Sequence, residues 1–374
     1  MSVFQTGPDV LNIDGSVLEG GGQILRMAMV FSGLLHRPIH VFNIRAGRVK
    51  PGLAAQHLNG LIVAKDICQG RLENAHIGST EIIFYPGNIT SGNFYADSKT
   101  AGSVTLIMQV ALPLLLFSSG QSQLIVKGGT NADMAPPIDY YIHLWRPVFC
   151  HFFNFNIDIH DVRRGFFPKG GGEVNVDVTP VQYIRPIELT QRGELTAVWG
   201  HAFVAGGVKM NTAQTMADTA YDYLVKSYPD FKTKLKITTY QLSSDKAIGN
   251  GSGVYIFAAT STGARYSGGC NGSPRTSPGE CGLNAAKELW SSLCENICFD
   301  EHTQDQLIVM MALAKGTSRV RVGQISLHTR TAIHIAELMT SAKFNIIEHE
   351  DKSCIIECQG MGFVNKNWGR KTFH

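Results

Sequence analysis

The sequence predicts an α/β fold of three repeated helix–sheet units, with a smaller α/β domain inserted between the second and third units. Three observations support this prediction. An apolar helix, a β-rich strand, a polar loop, a second helix and alternating strands follow one another three times along the chain. About a hundred residues between the second and third copies do not follow this pattern. The chain of 374 residues also exceeds the length at which one hydrophobic core usually stops growing.

Each copy can be read from its hydrophobic periodicity. The first contains, in order, QILRMAMVFSGLL, PIHVFNIRAG, the loop RVKPG, LAAQHLNGLIVAKDI and TEIIFYPG. The second contains SVTLIMQVALPLLLF, SQLIVKGG, the loop TNADMAPP, IDYYIHLWRPVF and EVNVDVTPV. The third begins near Asp300 and contains QDQLIVMMALA, SRVRVGQ, the loop ISLHTR, TAIHIAELMTSA and SCIIECQ.

The inserted domain is predicted over residues 183–294. This stretch has its own elements: helix-like TAQTMADTAYDYLVKSY, the strands KLKITTYQL and VYIFAAT, and the helix GLNAAKELWSSL. The large domain would then be discontinuous, over residues 1–182 and 295–374. The alternative is a single α+β domain in which the similarity between segments arises by chance.

Composition and charge exclude several classes of protein. With 44% hydrophobic and 17% charged residues, the chain is typical of a globular protein. Its net charge of +3 is too small for nucleic-acid binding by bulk charge, so any anion site has to be local. The most apolar run, residues 102–118, is short and holds Gln109 and Pro113, which favours a buried helix over a membrane span. Because the amino terminus lacks a basic stretch followed by an apolar run, secretion is not expected.

The eight cysteines indicate a reducing compartment. They are scattered through a long chain, which is typical of reduced thiols in a cytosolic or nuclear protein. Two CxxxC pairs, Cys294/Cys298 and Cys354/Cys358, leave a zinc site as the alternative. Structural zinc sites favour CxxC-type spacing, so we interpret these cysteines as buried thiols.

The first copy contains two candidate anion sites. Glu19–Gly22 opens its first helix, where free backbone N–H groups and the helix dipole can receive an anion, and Glu19 could hold a divalent cation. The alternative is a glycine-rich turn with a capping carboxylate. Arg45 and Arg48 follow a strand directly and suit bidentate contacts to phosphate oxygens. A solvated basic loop is the alternative for these two arginines.

Other polar residues stand out from their surroundings. Arg26 and Gln109 are isolated on apolar helices, and because unpaired burial is costly they need partners, of which a ligand is one candidate. His328 occupies the loop position that corresponds to the arginine cluster of the first copy, although a lone histidine is more often a structural hydrogen-bonder. The chain has no GxxxxGK[ST] phosphate loop, and its glycine run at 249–253 precedes a strand. P-loop ATPases and Rossmann dehydrogenases are therefore disfavoured.

Taken together, these stretches resemble the RNA 3′-terminal phosphate cyclase family over nearly the whole chain. The matching segments are LEGGGQILR, IRAGRVKPGLAAQH, AGSVTLIMQ, GGTNADMAPP, FFPKGGGEV, EHTQDQL and SLHTRTAIH. The resemblance implies three units like the carboxy-terminal domain of bacterial translation initiation factor three, with a smaller inserted domain.

The resemblance also implies a mechanism. His328 would attack the α-phosphorus of ATP to give a histidine–AMP and pyrophosphate, and the RNA 3′-phosphate would then take up AMP. The adjacent 2′-hydroxyl would close a 2′,3′-cyclic phosphate and release AMP. ATP would be a co-substrate, and Mg²⁺ or Mn²⁺ the metal. The implied contacts are Glu19 for the metal, Arg26, Arg45, Arg48 and Gln56 for the triphosphate or RNA end, and Gln109, Pro136, His302, Asp305 and Gln306 for ATP and its adenosine.

Two other functions remain open from the sequence. The family includes a nucleolar cyclase-like protein that supports ribosome assembly without the catalytic histidine, but His328, Glu19 and both loop arginines argue against that role. Another polynucleotide adenylyltransferase, acting on DNA ends or 5′-phosphates, is the second alternative. The expected partner is RNA with a 3′-phosphate end, in the nucleoplasm or cytoplasm and without a membrane. The physiological RNA, preferred metal, oligomeric state and role of the insert stay undetermined.

Overall fold

The computed structural model describes residues 9–368. Residues 1–8 and 369–374, which belong to the predicted large domain, lie outside the described part. The prediction about secretion rests partly on residues 1–8. The observed architecture is a mixed α/β fold with four sheets among the described residues, which confirms the predicted fold class at that level.

The amino-terminal part of the fold contains two sheets, each with helices inserted between its strands. The elements around the first sheet are β1 Leu11–Asp14, α1 Gly22–Leu35, β2 Ile39–Phe42, α2 Ala55–Ile67, β3 Arg71–Glu73 and β4 Ile82–Tyr85. Those around the second are β5 Asn93–Asp97, α3 Val104–Leu115, β6 Ser122–Gly128, α4 Ile138–Tyr140, a π-helical turn Tyr141–Trp145, α5 Arg146–Phe153, β7 Asn156–Gly165 and β8 Gly172–Thr179.

The rest of the chain contains a short strand, the inserted region and a third sheet. After β9 Glu188–Leu189, the inserted region contains β10 Leu195–Ala205, α6 Met210–Ser227, α7 Phe231–Lys234, β11 Leu235–Leu242, β12 Ala247–Ile248, β13 Gly251–Thr260, β14 Arg265–Asn271 and α8 Pro278–Cys294. The last elements are α9 Glu301–Leu313, β15 Thr317–Val322, α10 Leu327–Met339, β16 Lys343–Glu348 and β17 Cys354–Gln359.

Three of the sheets share one strand order and one pairing pattern. Their orders are β1-β2-β4-β3, β5-β6-β8-β7 and β9-β15-β17-β16, and β12 extends the second beyond β7. In each, the first pair is parallel and the next two pairs are antiparallel. Equivalent helices therefore begin at comparable places in the three sheets.

Helices α1 and α3 form the centre of the hydrophobic core. Nearly all their side chains are buried because both sequences are apolar around the whole helix rather than along one face. This confirms the prediction that the apolar run at 102–118 is a buried helix. Across residues 9–368, the helices are too short or too polar to cross a membrane.

The inserted region forms its own four-stranded sheet, in the order β11-β10-β13-β14. The structure contains the two predicted helices and two predicted strands. It adds β10, β14 and the short elements α7 and β12, which the sequence pattern did not indicate. Phe299 links this sheet to the third one, because its backbone bridges Arg265 of β14 and Val322 of β15.

A buried ionic cluster joins the inserted region to the second sheet. Asp139 of α4 accepts hydrogen bonds from both terminal nitrogens of Arg164 at 2.6 and 2.7 Å and lies 2.7 Å from His201 Nε2 of β10. Burial alone would raise the pKa of Asp139, but the guanidinium and the histidine outweigh it and hold the pKa well below the usual range. The carboxylate is thus a charged anchor between two parts of the chain.

Candidate active site

Polar residues from the first helices of the three units meet in the core. Arg26 of α1 donates from Nε to Gln109 Oε1 of α3 at 2.9 Å. Gln306 of α9 accepts a hydrogen bond from the Tyr141 hydroxyl at 3.1 Å. Together with Asp305 these side chains line a cavity of about 50 Å³ whose remaining wall is largely apolar. The isolated polar residues of α1 and α3 are therefore partners of one another.

Burial of the charged Arg26 guanidinium is unfavourable. Burial lowers the pKa of Arg26, and the negative charge of Asp305 opposes that effect. Because its guanidinium has further donors beyond the one used by Gln109, it can still bind anionic oxygens.

His328 lies at the second residue of α10, in the first turn of the helix. The prediction that it lies in a loop is wrong by this one turn. The helix starts at Leu327 because the Ser326 hydroxyl caps it by accepting from Thr329 N at 3.2 Å. The imidazole is exposed, and its Nδ1 lies 3.3 Å from Gln23 Oε1 of α1. The imidazole thus lies at a helix amino terminus, where anions are favoured.

Asp305 lies behind His328 in the same polar chain. Its Oδ2 accepts a hydrogen bond from Gln23 Nε2 at 2.7 Å, so Gln23 contacts both the carboxylate and the histidine. Burial raises the pKa of Asp305 to about 6, although His328 and Arg26 favour the ionised form. The carboxyl is mostly ionised at neutral pH.

Glu19 and Arg48 form an ion pair beside the start of α1. Two of the glycines that follow Glu19 have a structural reason: Gly20 has a φ of 61°, which favours glycine, and a Cβ on Gly22 would overlap the His57 ring. The backbone N–H of Glu19 donates to Thr331 Oγ1 of α10 at 3.2 Å. This contact joins the backbone at Glu19 to the helix that carries His328.

The other predicted residues of the first unit have structural partners. Arg45 donates from Nη1 to Gly52 O at 2.7 Å, across its own loop. Gln56 Oε1 accepts from Ser103 N at 2.9 Å and so connects the start of α2 to the start of α3. Burial, together with the charges of Arg26 and Arg45, lowers the pKa of His57 to about 3, so this ring is neutral at physiological pH.

Pro136 and His302 are held by separate contacts on either side of this cluster. The Pro136 carbonyl accepts from Thr105 Oγ1 at 2.6 Å. His302 Nε2 lies 2.9 Å from Glu288 Oε1 of α8, and that hydrogen bond raises the pKa of His302 to about 9. His302 and Ser326 also line an open polar pocket of about 700 Å³ between α8 and the third sheet. The inserted region therefore forms one wall next to the helix of His328.

Sequence reasoning did not single out three residues that organise this site. Gln23 directly follows the glycine-rich run and lies one turn before Arg26 on the apolar helix α1. Tyr141 lies in the segment IDYYIHLWRPVF, where several aromatic residues follow one another and this tyrosine does not stand out. Buried Gln304 donates to Gln324 O at 3.4 Å and accepts from Ser326 N at 3.4 Å and Thr329 Oγ1 at 2.8 Å. A glutamine beside the apolar stretch of α1 is the signal that could have identified Gln23, whereas Gln304 lies within the polar run EHTQDQ and does not stand out.

The cysteines lie outside this site. All eight are free thiols; Cys294 is exposed, while Cys298, Cys354 and Cys358 are buried. Within residues 9–368, no group of three or more histidine, cysteine, aspartate or glutamate side chains has the arrangement of a metal centre. A cation here would therefore need oxygens from a bound substrate as well as Glu19.

Comparisons with known proteins identify the family of this chain. The sequence model of the family described as RNA 3′-terminal phosphate cyclase matches residues 17–346. Proteins of that name from Drosophila melanogaster and Desulfurococcus amylolyticus are each 38% identical, over 96% and 95% of this chain and 98% and 99% of their own lengths. A probable RNA 3′-terminal phosphate cyclase from Dictyostelium discoideum is 35% identical over 95% of this chain and 84% of its own.

The solved structures add little. The enolpyruvyl transferase NikO from Streptomyces tendae is 10% identical and gives a TM-score of 0.25, over 93% of this chain and 65% of that one. A likeness this low supports no argument about the fold or the site.

Proposed function

The chain belongs to the RNA 3′-terminal phosphate cyclase family, and on that premise we propose that it converts an RNA 3′-phosphate to a 2′,3′-cyclic phosphate at the expense of ATP. One observation carries this proposal for the chain itself. An exposed imidazole, His328, lies in the first turn of α10, hydrogen-bonded to α1 beside the Glu19–Arg48 pair. A nucleophile at a helix amino terminus suits attack on a phosphate.

In the first step, ATP adenylylates the enzyme itself. The Nε2 lone pair of His328 attacks the α-phosphorus of ATP, an N–P bond forms, and the bond from that phosphorus to the β-phosphate oxygen breaks. Pyrophosphate leaves, and the enzyme holds AMP as a histidine phosphoramidate. The fixed donors near the reacting phosphorus, Arg26 and Gln109, stabilise the charge that accumulates on its oxygens.

The next two steps transfer AMP and close the ring. A 3′-phosphate oxygen of the RNA attacks the AMP phosphorus, the N–P bond breaks and His328 is regenerated. The adjacent 2′-hydroxyl then attacks the 3′-phosphorus and loses its proton, and AMP leaves with the bridging oxygen. Activation is needed because a phosphate oxygen is a poor leaving group, whereas AMP is a good one.

The triphosphate and the RNA end need local positive charge. Arg45, Arg48 and Gln56 are the proposed contacts, with Arg48 exposed and free to move from Glu19 to a phosphate. Glu19 would hold Mg²⁺ or Mn²⁺, and a single carboxylate beside a phosphate site fits the way Mg²⁺ is usually bound in proteins. Such an ion would neutralise charge on the phosphate oxygens.

The adenosine is proposed to lie between the start of α9 and the loop that ends at Pro136. His302 is a flat ring at that helix start, and Asp305 and Gln306 follow on the same helix. The finer features of the fold belong to this proposal: the three units resemble the carboxy-terminal domain of bacterial translation initiation factor three, and residues 183–294 are the inserted domain. Within that range, β9 Glu188–Leu189 pairs with β15 and so belongs to the third sheet. The enzyme would work on RNA in the nucleoplasm or cytoplasm.

The test uses ATP labelled at the α-phosphate. We expect the protein to take up label in an acid-labile, alkali-stable form, and His328→Asn to take up none. His334→Asn is the matched control, because His334 is a second exposed histidine on α10 and should leave labelling unchanged. Absence of label in the parent protein would favour the non-catalytic role instead.

A second assay tests the substrate. RNA with a labelled 3′-phosphate should become resistant to phosphatase in the presence of ATP, whereas ends carrying a 5′-phosphate or a DNA 3′-phosphate should react more slowly. Equal or faster reaction of those ends would favour the other polynucleotide adenylyltransferase.

A further inference from the structure

We infer that Gln23 and Asp305 together set the tautomer of His328, so that its Nε2 is the unprotonated, nucleophilic nitrogen. This inference deepens the proposed function and rests on it. The observation behind it is that one carboxamide contacts both partners: Gln23 Nε2 donates to Asp305 Oδ2 at 2.7 Å, while Gln23 Oε1 lies 3.3 Å from His328 Nδ1.

The direction of each hydrogen bond follows from the chemistry of the groups. An ionised carboxylate can only accept, so the amide NH₂ of Gln23 has to face Asp305. The carbonyl oxygen of the same amide then faces His328, and it too can only accept. His328 Nδ1 must therefore carry the ring proton, and the lone pair is left on Nε2.

Burial makes this orientation specific. Gln23 is only 5% exposed, so water has little access to the amide, and reversing it would leave Asp305 facing a carbonyl oxygen. Arg26, one turn along α1, adds a positive charge that keeps Asp305 ionised. The pair acts as a fixed template against which the exposed ring is oriented.

The tautomer matters for both transfers of AMP. When Nε2 bonds to phosphorus, the proton stays on Nδ1 and the ring becomes positively charged. The Gln23 carbonyl stabilises that charge through the Nδ1–H hydrogen bond. A protonated imidazole is a good leaving group, so the same proton assists breakage of the N–P bond when AMP passes to RNA. Gln23 and Asp305 are thus positioning residues for both steps.

The experiment combines ring nitrogen NMR with adenylylation kinetics. In protein labelled with ¹⁵N-histidine and free of ATP, the His328 signals are assigned by their loss in His328→Asn. We expect Nδ1 to be the protonated nitrogen in the parent. In Gln23→Leu, which keeps a side chain of similar size, the ring should shift toward the tautomer protonated at Nε2. Enzyme–AMP formation should slow by about 10- to 100-fold, with little change in KM for ATP.

Two further variants keep the result interpretable. Asp305→Asn leaves the shape but allows the Gln23 amide to reverse, so it should also redistribute the tautomers. Gln214→Leu, at an exposed glutamine of α6, should change neither measurement. A parent signal protonated at Nε2, or an unchanged tautomer and rate in Gln23→Leu, would overturn the inference. If the parent takes up no label, the proposed function fails, while the NMR result still decides the tautomer.

A different observation supports a second inference, on the segment Phe166–Gly171 between β7 and β8. Phe166 is buried against Phe203, with ring centroids 6.0 Å apart, whereas its neighbour Phe167 is 82% exposed. The segment is fixed on both sides, because Gly170 has a φ of 63° and a Cβ on it would overlap the Thr100 carbonyl. Phe167 is therefore presented to solvent by a rigid backbone, with exposed Lys169 beside it.

We propose that this segment binds the single-stranded RNA that precedes the reacting 3′ end. Gly170 packs on Thr100, three residues before Ser103, whose N–H donates to Gln56 Oε1 at 2.9 Å. The backbone of this segment therefore packs on the loop that leads to one of the proposed RNA contacts of α2. An exposed aromatic ring stacks on any base, and a lysine next to it attracts the phosphate backbone. The occupant is inferred from this pairing of an aromatic ring with positive charge.

The test compares RNA of two lengths. Phe167→Ala should weaken binding of a 3′-phosphorylated oligonucleotide about 5- to 100-fold, with little effect on a nucleoside 3′-phosphate and none on enzyme–AMP formation. Phe167→Tyr should restore binding. Tyr228→Ala, at a ring 41% exposed in the inserted region, is the matched control. Unchanged oligonucleotide affinity, or an equal loss on both ligands, would overturn the proposal. Failure of the parent to bind the oligonucleotide would count against the proposed function itself.

Discussion

Replacement of Asp305 by asparagine should stabilise the fold at neutral pH. Burial raises the pKa of Asp305 from 3.8 to about 6, and each pH unit of difference corresponds to about 1.4 kcal/mol. Because the folded pKa is the higher one, the stability linked to the protonated carboxyl is complete below 3.8 and is lost as the pH rises through about 6. At pH 7.5 the ionised carboxyl therefore costs the folded state about 3 kcal/mol.

Asparagine keeps the shape of the side chain and removes that cost. The expected gain in the free energy of unfolding is about 3 kcal/mol at pH 7.5 and only about 1 kcal/mol at pH 4.5. Urea titrations followed by tryptophan fluorescence at the two pH values measure it. Glu301→Gln, at an exposed carboxyl in the first turn of the same helix, should change stability by less than about 1 kcal/mol.

The dependence on pH is what decides the outcome. A gain of the same size at both pH values, or a loss of stability at pH 7.5, would refute the claim that the buried charge strains this site. The expected result is a residue that is kept charged for function at the expense of stability.

Three further outcomes are expected. Arg48→Gln should weaken RNA binding and reduce the slope of log affinity against log salt by about 0.7, in line with the loss of one phosphate contact on a single strand; an unchanged slope in a salt titration would argue against that contact. Asp139→Asn should destabilise the protein by about 3–5 kcal/mol, because it leaves a buried arginine unpaired, while Asp158→Asn, at a surface ion pair, should cost less than about 1 kcal/mol in the same urea titration. Cys294, the exposed cysteine, should react first with a maleimide under native conditions, as peptide mapping can show; faster labelling of the buried thiols would contradict the described packing.

Much of the fold could be predicted from local patterns. The apolar runs predict α1 and α3, and helical periodicity over TAIHIAELMTSA predicts most of α10, because these signals depend only on neighbours in the chain. The strand β10 was missed since it is central and buried on both faces, so it shows no alternation of apolar and polar residues. The strand β9 has only two residues and is defined by its pairing with β15, which lies far along the chain. A pattern of neighbouring residues cannot predict such a strand.

The candidate site likewise combines features that the sequence shows with contacts that depend on packing. The sequence by itself determined which residues are chemically able to act: a carboxylate before three glycines, paired arginines after a strand, and a histidine in the third repeat. The sequence also indicated the family, because the matching segments are spread over nearly the whole chain. These features are local, so no knowledge of packing is needed to see them.

Only the tertiary structure decided which of these residues meet. Gln23 lies 282 positions from Asp305 and 305 positions from His328, yet it contacts both. The tertiary structure also decided that Gln109 is a hydrogen-bond partner of Arg26 and that Glu288 of the inserted region contacts His302. Such contacts depend on how whole helices and sheets pack against one another, and that packing sums many weak interactions that no single stretch of sequence contains.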